Sequence, residues 1–157
     1  MPIETPTDNA GVRLPPPLVF LSFLLLGLWV DSPWFEGRLA ETAPTLVGGV
    51  IAVLGFALIV VGARQHKKAG SNVQPWKPTT EIIASGLYTW SRNPIYLGMA
   101  LAQGGLAICG GSLAALVTLV LSLLVVRLFV IAREEAYLEE KFGAAYLDYK
   151  RRVRRWI

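Results

Sequence analysis

The placement of charge along this chain leaves few folds open. Leu14–Val30, Thr42–Ala63 and Asn93–Val126 contain no Asp, Glu, Lys or Arg. A helix of a soluble bundle needs a polar stripe, because one of its faces meets water. Val50–Val61 has no such stripe, and Leu113–Val126 offers only Thr118 and Ser122. The second charge-free run, of 22 residues, matches the ~20 that cross ~30 Å of hydrocarbon. The third, of 34 residues, is too long for one crossing and is divided by Gly110-Gly111-Ser112. Tandem glycine ends a helix, and serine is a good N-cap for the next. In the first run Pro15-Pro16-Pro17 delays the helix to about Leu18, and it can reach Pro33–Phe35 with Trp29 and Trp34 as interface anchors. The expectation is an all-α, polytopic membrane protein with four transmembrane helices near 17–34, 44–63, 94–109 and 112–132. Only 17% of the residues are charged, against roughly 25% in soluble domains.

With 157 residues the chain suits one domain, taken as 14–157, with 1–13 disordered. Met1–Arg13 carries Glu4, Asp8 and Arg13 and lacks the basic region of a signal peptide. No small-residue cleavage site follows Leu28, so the first span is expected to be retained. Orientation follows from Lys and Arg. The loop after span one holds Asp31, Glu36, Arg38 and Glu41. The loop after span two holds Arg64, Lys67, Lys68, Lys77 and Arg92 against Glu81. The tail holds Arg133, Lys141, Lys150, Arg151, Arg152, Arg154 and Arg155. Both basic segments fall on one side, which places them and both termini in the cytoplasm, in an integral, multi-pass membrane protein (of the inner or plasma membrane if the cell is bacterial). The net charge of +4 then serves topology and lipid headgroups, not nucleic acid.

Several chemistries are excluded. Cys109 and His66 are the only residues of their kinds, so no disulfide within the chain and no Cys- or His-based metal site is expected. The charge-free runs Leu14–Val30, Thr42–Ala63 and Asn93–Val126 contain no Asp or Glu, which argues against a small proton-coupled transporter. In the second span Gly48, Gly55 and Gly62 recur every seven residues, and Gly98 and Ala102 open the third, giving faces for close helix packing.

Residues 64–93 form a long loop whose Trp76, Ile82, Ile83, Leu87, Tyr88 and Trp90 are too apolar for a solvated linker, so the loop is expected to fold back on the helix ends. Span four runs on without a breaker through Arg133-Glu134-Glu135 to Phe142, and Gly143 ends it. Ala144–Trp156 reads as a last amphipathic helix at the membrane surface, with Tyr146, Tyr149, Val153 and Trp156 on one face. Arg92, the last charge before the third run, is either an interfacial anchor or a functional residue, since a charge at a membrane edge must snorkel, pair or bind.

Two blocks of residues resemble the isoprenylcysteine carboxyl methyltransferase and phospholipid methyltransferase superfamily. One runs from His66 and Gly70 through Gly86-Leu-Tyr88 to Arg92-Asn93-Pro94-Ile-Tyr96-Leu-Gly98. The other is Arg133-Glu134-Glu135 through Phe142-Gly143, Tyr146 and Tyr149 to Ile157. They cover the core, 64–157, in the expected order around one membrane hairpin. The chain carries the Arg-Asn-Pro form of a pattern also met as Arg-His-Pro, has Ser71 where Thr is common, and ends without the Pro that often follows.

The resemblance implies a fold in which the cytoplasmic loop and the C-terminal helices form a cofactor pocket. It implies S-adenosylmethionine as cofactor and a lipidic acceptor. Carried over residue by residue, Gly86, Tyr88, Arg92, Asn93, Pro94, Tyr96 and Gly98 line the cofactor pocket, and Glu134 and Glu135 reach it from the extension of span four. The sulfonium makes methyl transfer easy, so the protein supplies mainly proximity and orientation. A carboxylate acceptor, of the isoprenylcysteine type, is the first expectation and needs no base at neutral pH. Arg92 then holds that carboxylate or the cofactor's own, and Glu135 pairs with Arg92 or with the cofactor's ammonium; these two are the expected catalytic residues. A phospholipid amine acceptor instead needs a base, Glu134 or Glu135. Glu139 and Glu140 are read as a solvated helix face, Tyr146 and Tyr149 as packing, and His66 as a surface residue. Two other classes stay open: an NADPH-dependent sterol-reductase-like protein and a non-catalytic four-span membrane protein. The partners expected are the bilayer and a lipidic small molecule; the sequence leaves the oligomeric state open.

Overall fold

The computed structural model describes residues 8–32 and 45–157. The outer end of the first predicted span, with Trp34, and the loop residues Glu36, Arg38 and Glu41 lie outside the described residues, as do residues 1–7. Every regular element described is helical. Helix α1 is Pro16–Val30, α2 Thr45–Lys68, α3 Pro94–Cys109 and α4 Leu113–Val125. A π-helical stretch, Val126–Ile131, joins α4 without a break to α5, Ala132–Phe142, and α6 is Ala144–Arg152. Among the described residues two helices are long and apolar enough to cross a membrane, α2 and the continuous Leu113–Phe142. The shorter α1 and α3, of 15 and 16 residues, are also apolar.

Small residues set the pairing. Helix α2 lies along α3, and α1 along α4. A Cβ added at Gly55 would stand 2.5 Å from the Ala102 nitrogen, and one at Gly105 2.4 Å from that of Ala52. The backbones of α2 and α3 are therefore in contact, as small-residue faces permit in membranes. On the other side, Gly27 of α1 meets Ala115 of α4, where an added Cβ would lie 2.3 Å from the Ala115 Cα.

The turn between α3 and α4 is built as its residues dictate. Gly111 takes φ +59°, and Ser112 Oγ accepts a hydrogen bond from the Ala115 amide at 2.9 Å, capping α4. Asp31, buried at the end of α1, accepts from Ser112 Oγ at 2.7 Å and from the Ala114 amide at 2.8 Å. A carboxylate is thereby held at the positive end of a helix dipole.

Several boundaries differ from the sequence reading. Helix α1 ends at Val30, with Asp31 as its C-cap, short of the expected 34. Helix α2 continues five residues beyond 63, to Lys68, because Arg64–Lys68 are good helix formers and cations suit a helix C-terminus. Gly70, at φ +66°, ends it: the Ser71 amide donates to the His66 carbonyl and the Gly70 amide to that of Lys67, a Schellman arrangement. Helix α6 stops at Arg152 instead of reaching Trp156, and Val153 is extended. Residues 8–13, expected to be disordered, are placed. Val12 is buried with Tyr96, Val126, Val130 and Ile131, and the Asp8 carboxylate is paired with Lys141.

Candidate functional site

The ends of α2 and α3, the 69–93 segment, α5 and α6 surround a cavity of about 190 Å³. All five tyrosines of the chain line it: Tyr88, Tyr96, Tyr137, Tyr146 and Tyr149. The segment 69–93 folds back on the helix ends and gives the cavity Trp76, Ile82 and Ile83 among others.

Arg92 and Glu135 meet here. Arg92 Nη2 donates to Glu135 Oε1 at 2.8 Å, and both side chains are more than nine-tenths buried. Arg92 Nη1 donates to the carbonyls of Val153 at 2.6 Å and Lys150 at 3.1 Å. Both terminal nitrogens are thus engaged by the protein, and Nε is buried with no partner among the described residues. Of the two partners expected for Glu135, the structure shows Arg92, whose fork grips Glu135 and the C-terminal segment.

Glu135 is equally engaged. Arg155 donates to it twice, from Nε at 3.0 Å and Nη2 at 2.7 Å, and Lys150 Nζ stands at 3.7 Å. Burial alone would raise its pKa, yet the hydrogen bonds and charges of Arg155 and Arg92 hold it below the usual carboxylate value. Bidentate arginine–carboxylate pairs are among the stronger ionic contacts.

Glu134 differs. Its one hydrogen-bond partner among the described residues is the Tyr96 hydroxyl, which donates to Oε1 at 2.7 Å. Burial pushes its pKa up to about 7; the Tyr96 hydrogen bond works against the rise and the charge of Glu135 adds to it. A carboxyl that changes charge near neutral pH is equipped for proton transfer.

The remaining expected residues divide. Tyr88 and Asn93 line the cavity, while Gly86, Pro94 and Gly98 do not. Gly86, at φ +58°, opens the short 3₁₀ turn Gly86–Thr89 and presses on Gln65. Pro94 starts α3, where a missing N–H costs nothing. Gly98 faces α2, where an added Cβ would lie 2.7 Å from the Gly55 carbonyl. These three shape the backbone around the cavity. Glu139, read as solvated, is ion-paired with Lys150. His66, read as a surface residue, lines the cavity, with Nε2 at 2.8 Å from the Tyr88 hydroxyl and its ring edge-on to that tyrosine.

The C-terminal segment belongs to the site. Its helix ends early because its carbonyls turn toward the start of α3. Arg154 accepts from the Arg92 amide at 2.9 Å, and Arg155 from Asn93 Nδ2 at 3.0 Å. Tyr146, Tyr149 and Val153 pack on Ile82, Leu138 and Phe142, so this face covers the site instead of lying on the membrane. Arg155 was missed as a site residue because five Lys and Arg crowd residues 150–155, and nothing local distinguishes the one that turns inward.

A family model described as phospholipid methyltransferase matches residues 43–145. Over 131 residues the chain is 29% identical to the protein-S-isoprenylcysteine O-methyltransferase of Saccharomyces cerevisiae, covering 80% of this chain and 54% of the yeast protein. The chain thus spans about half of that relative's length. An uncharacterized protein of Haemophilus influenzae is 41% identical over 63 residues, the whole of that protein and 40% of this chain. No solved structure matches.

Proposed function

We infer the function from one premise: the chain belongs to the phospholipid methyltransferase family, a family of membrane methyltransferases. The reading that follows is S-adenosylmethionine-dependent methyl transfer to a lipidic acceptor at the membrane boundary. One observation carries it. The two sequence blocks that resemble the family converge on a single cavity, at the Lys- and Arg-rich ends of the helices. A water-soluble cofactor and a lipid meet most readily at such a boundary. We read α1 to α4 as four crossings, with the cavity and both described ends of the chain on the cytoplasmic side. The two long apolar helices and the charge asymmetry support this. The comparisons give the sterol-reductase alternative no support.

The donor set suits the cofactor. Aromatic faces attract cations, and Glu134 is a carboxylate with an oxygen to spare. Tyr96, Tyr146, Tyr149 and Glu134 would hold S-adenosylmethionine, whose sulfonium supplies an electrophilic methyl group. The protein's own part is to orient the acceptor, exclude water and move a proton.

The yeast relative's name supports a carboxylate acceptor. The cavity favours an amine instead. Arg92 and Arg155 are both engaged with Glu135, so neither offers a fork to a carboxylate, whereas Glu134 ionises near neutral pH and can take the proton an amine loses. The experiment is transfer from methyl-labelled S-adenosylmethionine into lipid extracts, using membranes with and without the protein, followed by mild alkali. Label that stays non-volatile is N-methyl; label released as volatile methanol is a carboxyl methyl ester. No label in either fraction would sink the reading.

A further inference from the structure

The cavity lining has two kinds of chemistry. Glu134, Glu135, Arg92 and Asn93 give it polar groups. Ile95 and Met99 of α3, Pro16 and Pro17 at the start of α1, and Ala10 give it apolar wall, and Ala10 and Met99 pack on one apolar cluster. The short segment before α1 is thus part of the cavity wall. Three tethers hold it. The Asp8 carboxylate receives Lys141 Nζ at 2.6 and 2.7 Å and the Tyr137 hydroxyl at 2.7 Å. Arg133 Nη1 donates to the Gly11 carbonyl at 3.0 Å. Val12 is only 3% exposed, set among Tyr96, Val130 and Ile131. Tyr137 also accepts from the Thr79 amide at 3.2 Å, so one hydroxyl joins the segment to the loop across the cavity. Its polar tethers are exposed to solvent, and its apolar contacts are the Val12 side chain and the small Ala10 beside it. Such a segment can detach locally without unfolding the bundle. Leu14 and Leu18, beside it, are about half exposed on the surface that meets lipid tails if the helices span a bilayer.

We propose that Asp8–Val12 is a strap over the apolar wall of the cavity, and that the hydrocarbon tail of the acceptor is admitted and held beneath it, against Ala10, Pro16, Pro17 and Met99. This rests on the methyl-transfer reading and adds to it the place where the lipid tail lies. Hydrocarbon contacts there contribute roughly in proportion to the apolar area they remove from water, and Glu134 is left to the reacting head.

The test uses the full chain in detergent–lipid micelles and two variants. Ala10→Trp fills the space at the apolar wall while keeping every tether. It should lower transfer from labelled S-adenosylmethionine into lipid extract at least tenfold and leave the affinity for S-adenosylhomocysteine, by calorimetry, within twofold. Asp8→Asn removes the ionic tether. It should speed tryptic cleavage after Arg13, read by mass spectrometry, at least tenfold, and raise the KM for lipid without changing S-adenosylhomocysteine affinity. Unchanged transfer in Ala10→Trp, or equal loss of lipid transfer and cofactor affinity, would overturn the tail site. Equal cleavage at Arg13 in wild type and Asp8→Asn would overturn the strap. Wild-type protein that neither binds S-adenosylhomocysteine nor methylates lipid would instead remove the methyl-transfer reading and the tail site with it, leaving the strap to be decided by the cleavage at Arg13.

Discussion

Glu134 and Glu135 are neighbours on α5 with opposite surroundings: Glu135 is gripped by Arg92 and Arg155, while Glu134 meets the cavity with the Tyr96 hydroxyl on one oxygen. On a helix, adjacent residues point about 100° apart, so consecutive acids can serve separate purposes. The cationic side anchors the C-terminal segment. The other leaves a carboxyl whose charge is set by burial.

Replacing Glu134 by Gln should therefore lower methyl transfer by roughly 100-fold or more if it is the base. The wild-type rate should climb as pH passes through about 7, and the variant's profile should lose that limb. Stability should move the other way. The folded-state pKa lies above the unfolded value of 4.5, so between those two pH values the folded state holds more protons than the unfolded one. Stability then falls as pH rises from about 4.5 to about 7 and levels off above. Melting temperature against pH should show this slope in wild type and not in Glu134→Gln. A wild-type rate flat from pH 6 to 8 would exclude the base.

Glu135→Gln should act first on folding. It leaves two guanidinium groups around a neutral amide, and breaking a buried pair costs roughly 3 kcal/mol or more. Arg92→Lys keeps the charge but loses the fork that reaches Glu135 and two carbonyls at once, so it too should unfold earlier. Glu139→Gln, which loses a half-exposed pair with Lys150, should cost under about 1 kcal/mol. Thermal unfolding followed by tryptophan fluorescence in detergent ranks the three. Equal melting temperatures for Glu135→Gln and Glu139→Gln would contradict the assignment.

Much of the bundle was legible because it follows from local chemistry. Gly110-Gly111-Ser112 makes a turn and a cap wherever it stands, Gly143 ends α5, and glycine every seven residues marks one face of α2. The meeting of Arg92 and Glu135 followed from that turn, which makes α3 and α4 antiparallel. What escaped depends on distant partners. The π-helical stretch lets Val126, Val130 and Ile131 all be fully buried, a shift of register that no residue in Val126–Ile131 announces. Helix α6 has the pattern to continue to Trp156 but surrenders its last carbonyls to Arg92 and Asn93. His66 looked like a surface residue because Tyr88, its partner, lies 22 positions away.

The buried cap at the α1–α4 contact gives another measurable effect. Ser112→Ala removes the Oγ that accepts from Ala115 and donates to Asp31, so it should cost about 1 kcal/mol as a lost N-cap. Asp31→Ala should cost a similar amount, since the Ala114 amide and the Ser112 hydroxyl both lose an acceptor. The double variant should cost less than the sum, because the two share one hydrogen bond. Denaturant titration of all three proteins forms the cycle, and strict additivity would mean the two residues act apart.

Two glycines six residues apart on α2 separate helix propensity from helix packing. Among the described residues nothing lies within 4 Å of a Cβ added at Gly49, whereas at Gly55 the Cβ would stand 2.5 Å from the Ala102 nitrogen and 2.6 Å from the Gly98 carbonyl. Alanine is the better helix former by about 1 kcal/mol, so Gly49→Ala should be neutral or slightly stabilising. At Gly55 the same methyl group meets backbone, which cannot turn aside as a side chain can. The two helices must separate, and the contacts along α2 and α3 weaken together. Gly55→Ala should thus be destabilising in spite of propensity, by the 1–3 kcal/mol typical of overpacking. Because α3 begins at Asn93-Pro94, a shift there also moves Arg92 and Tyr96, so the variant should bind S-adenosylhomocysteine more weakly than Gly49→Ala does. Melting temperature and calorimetry on the pair decide it: if Gly55→Ala matches Gly49→Ala in both, the backbone contact between α2 and α3 is not what holds the cavity in shape.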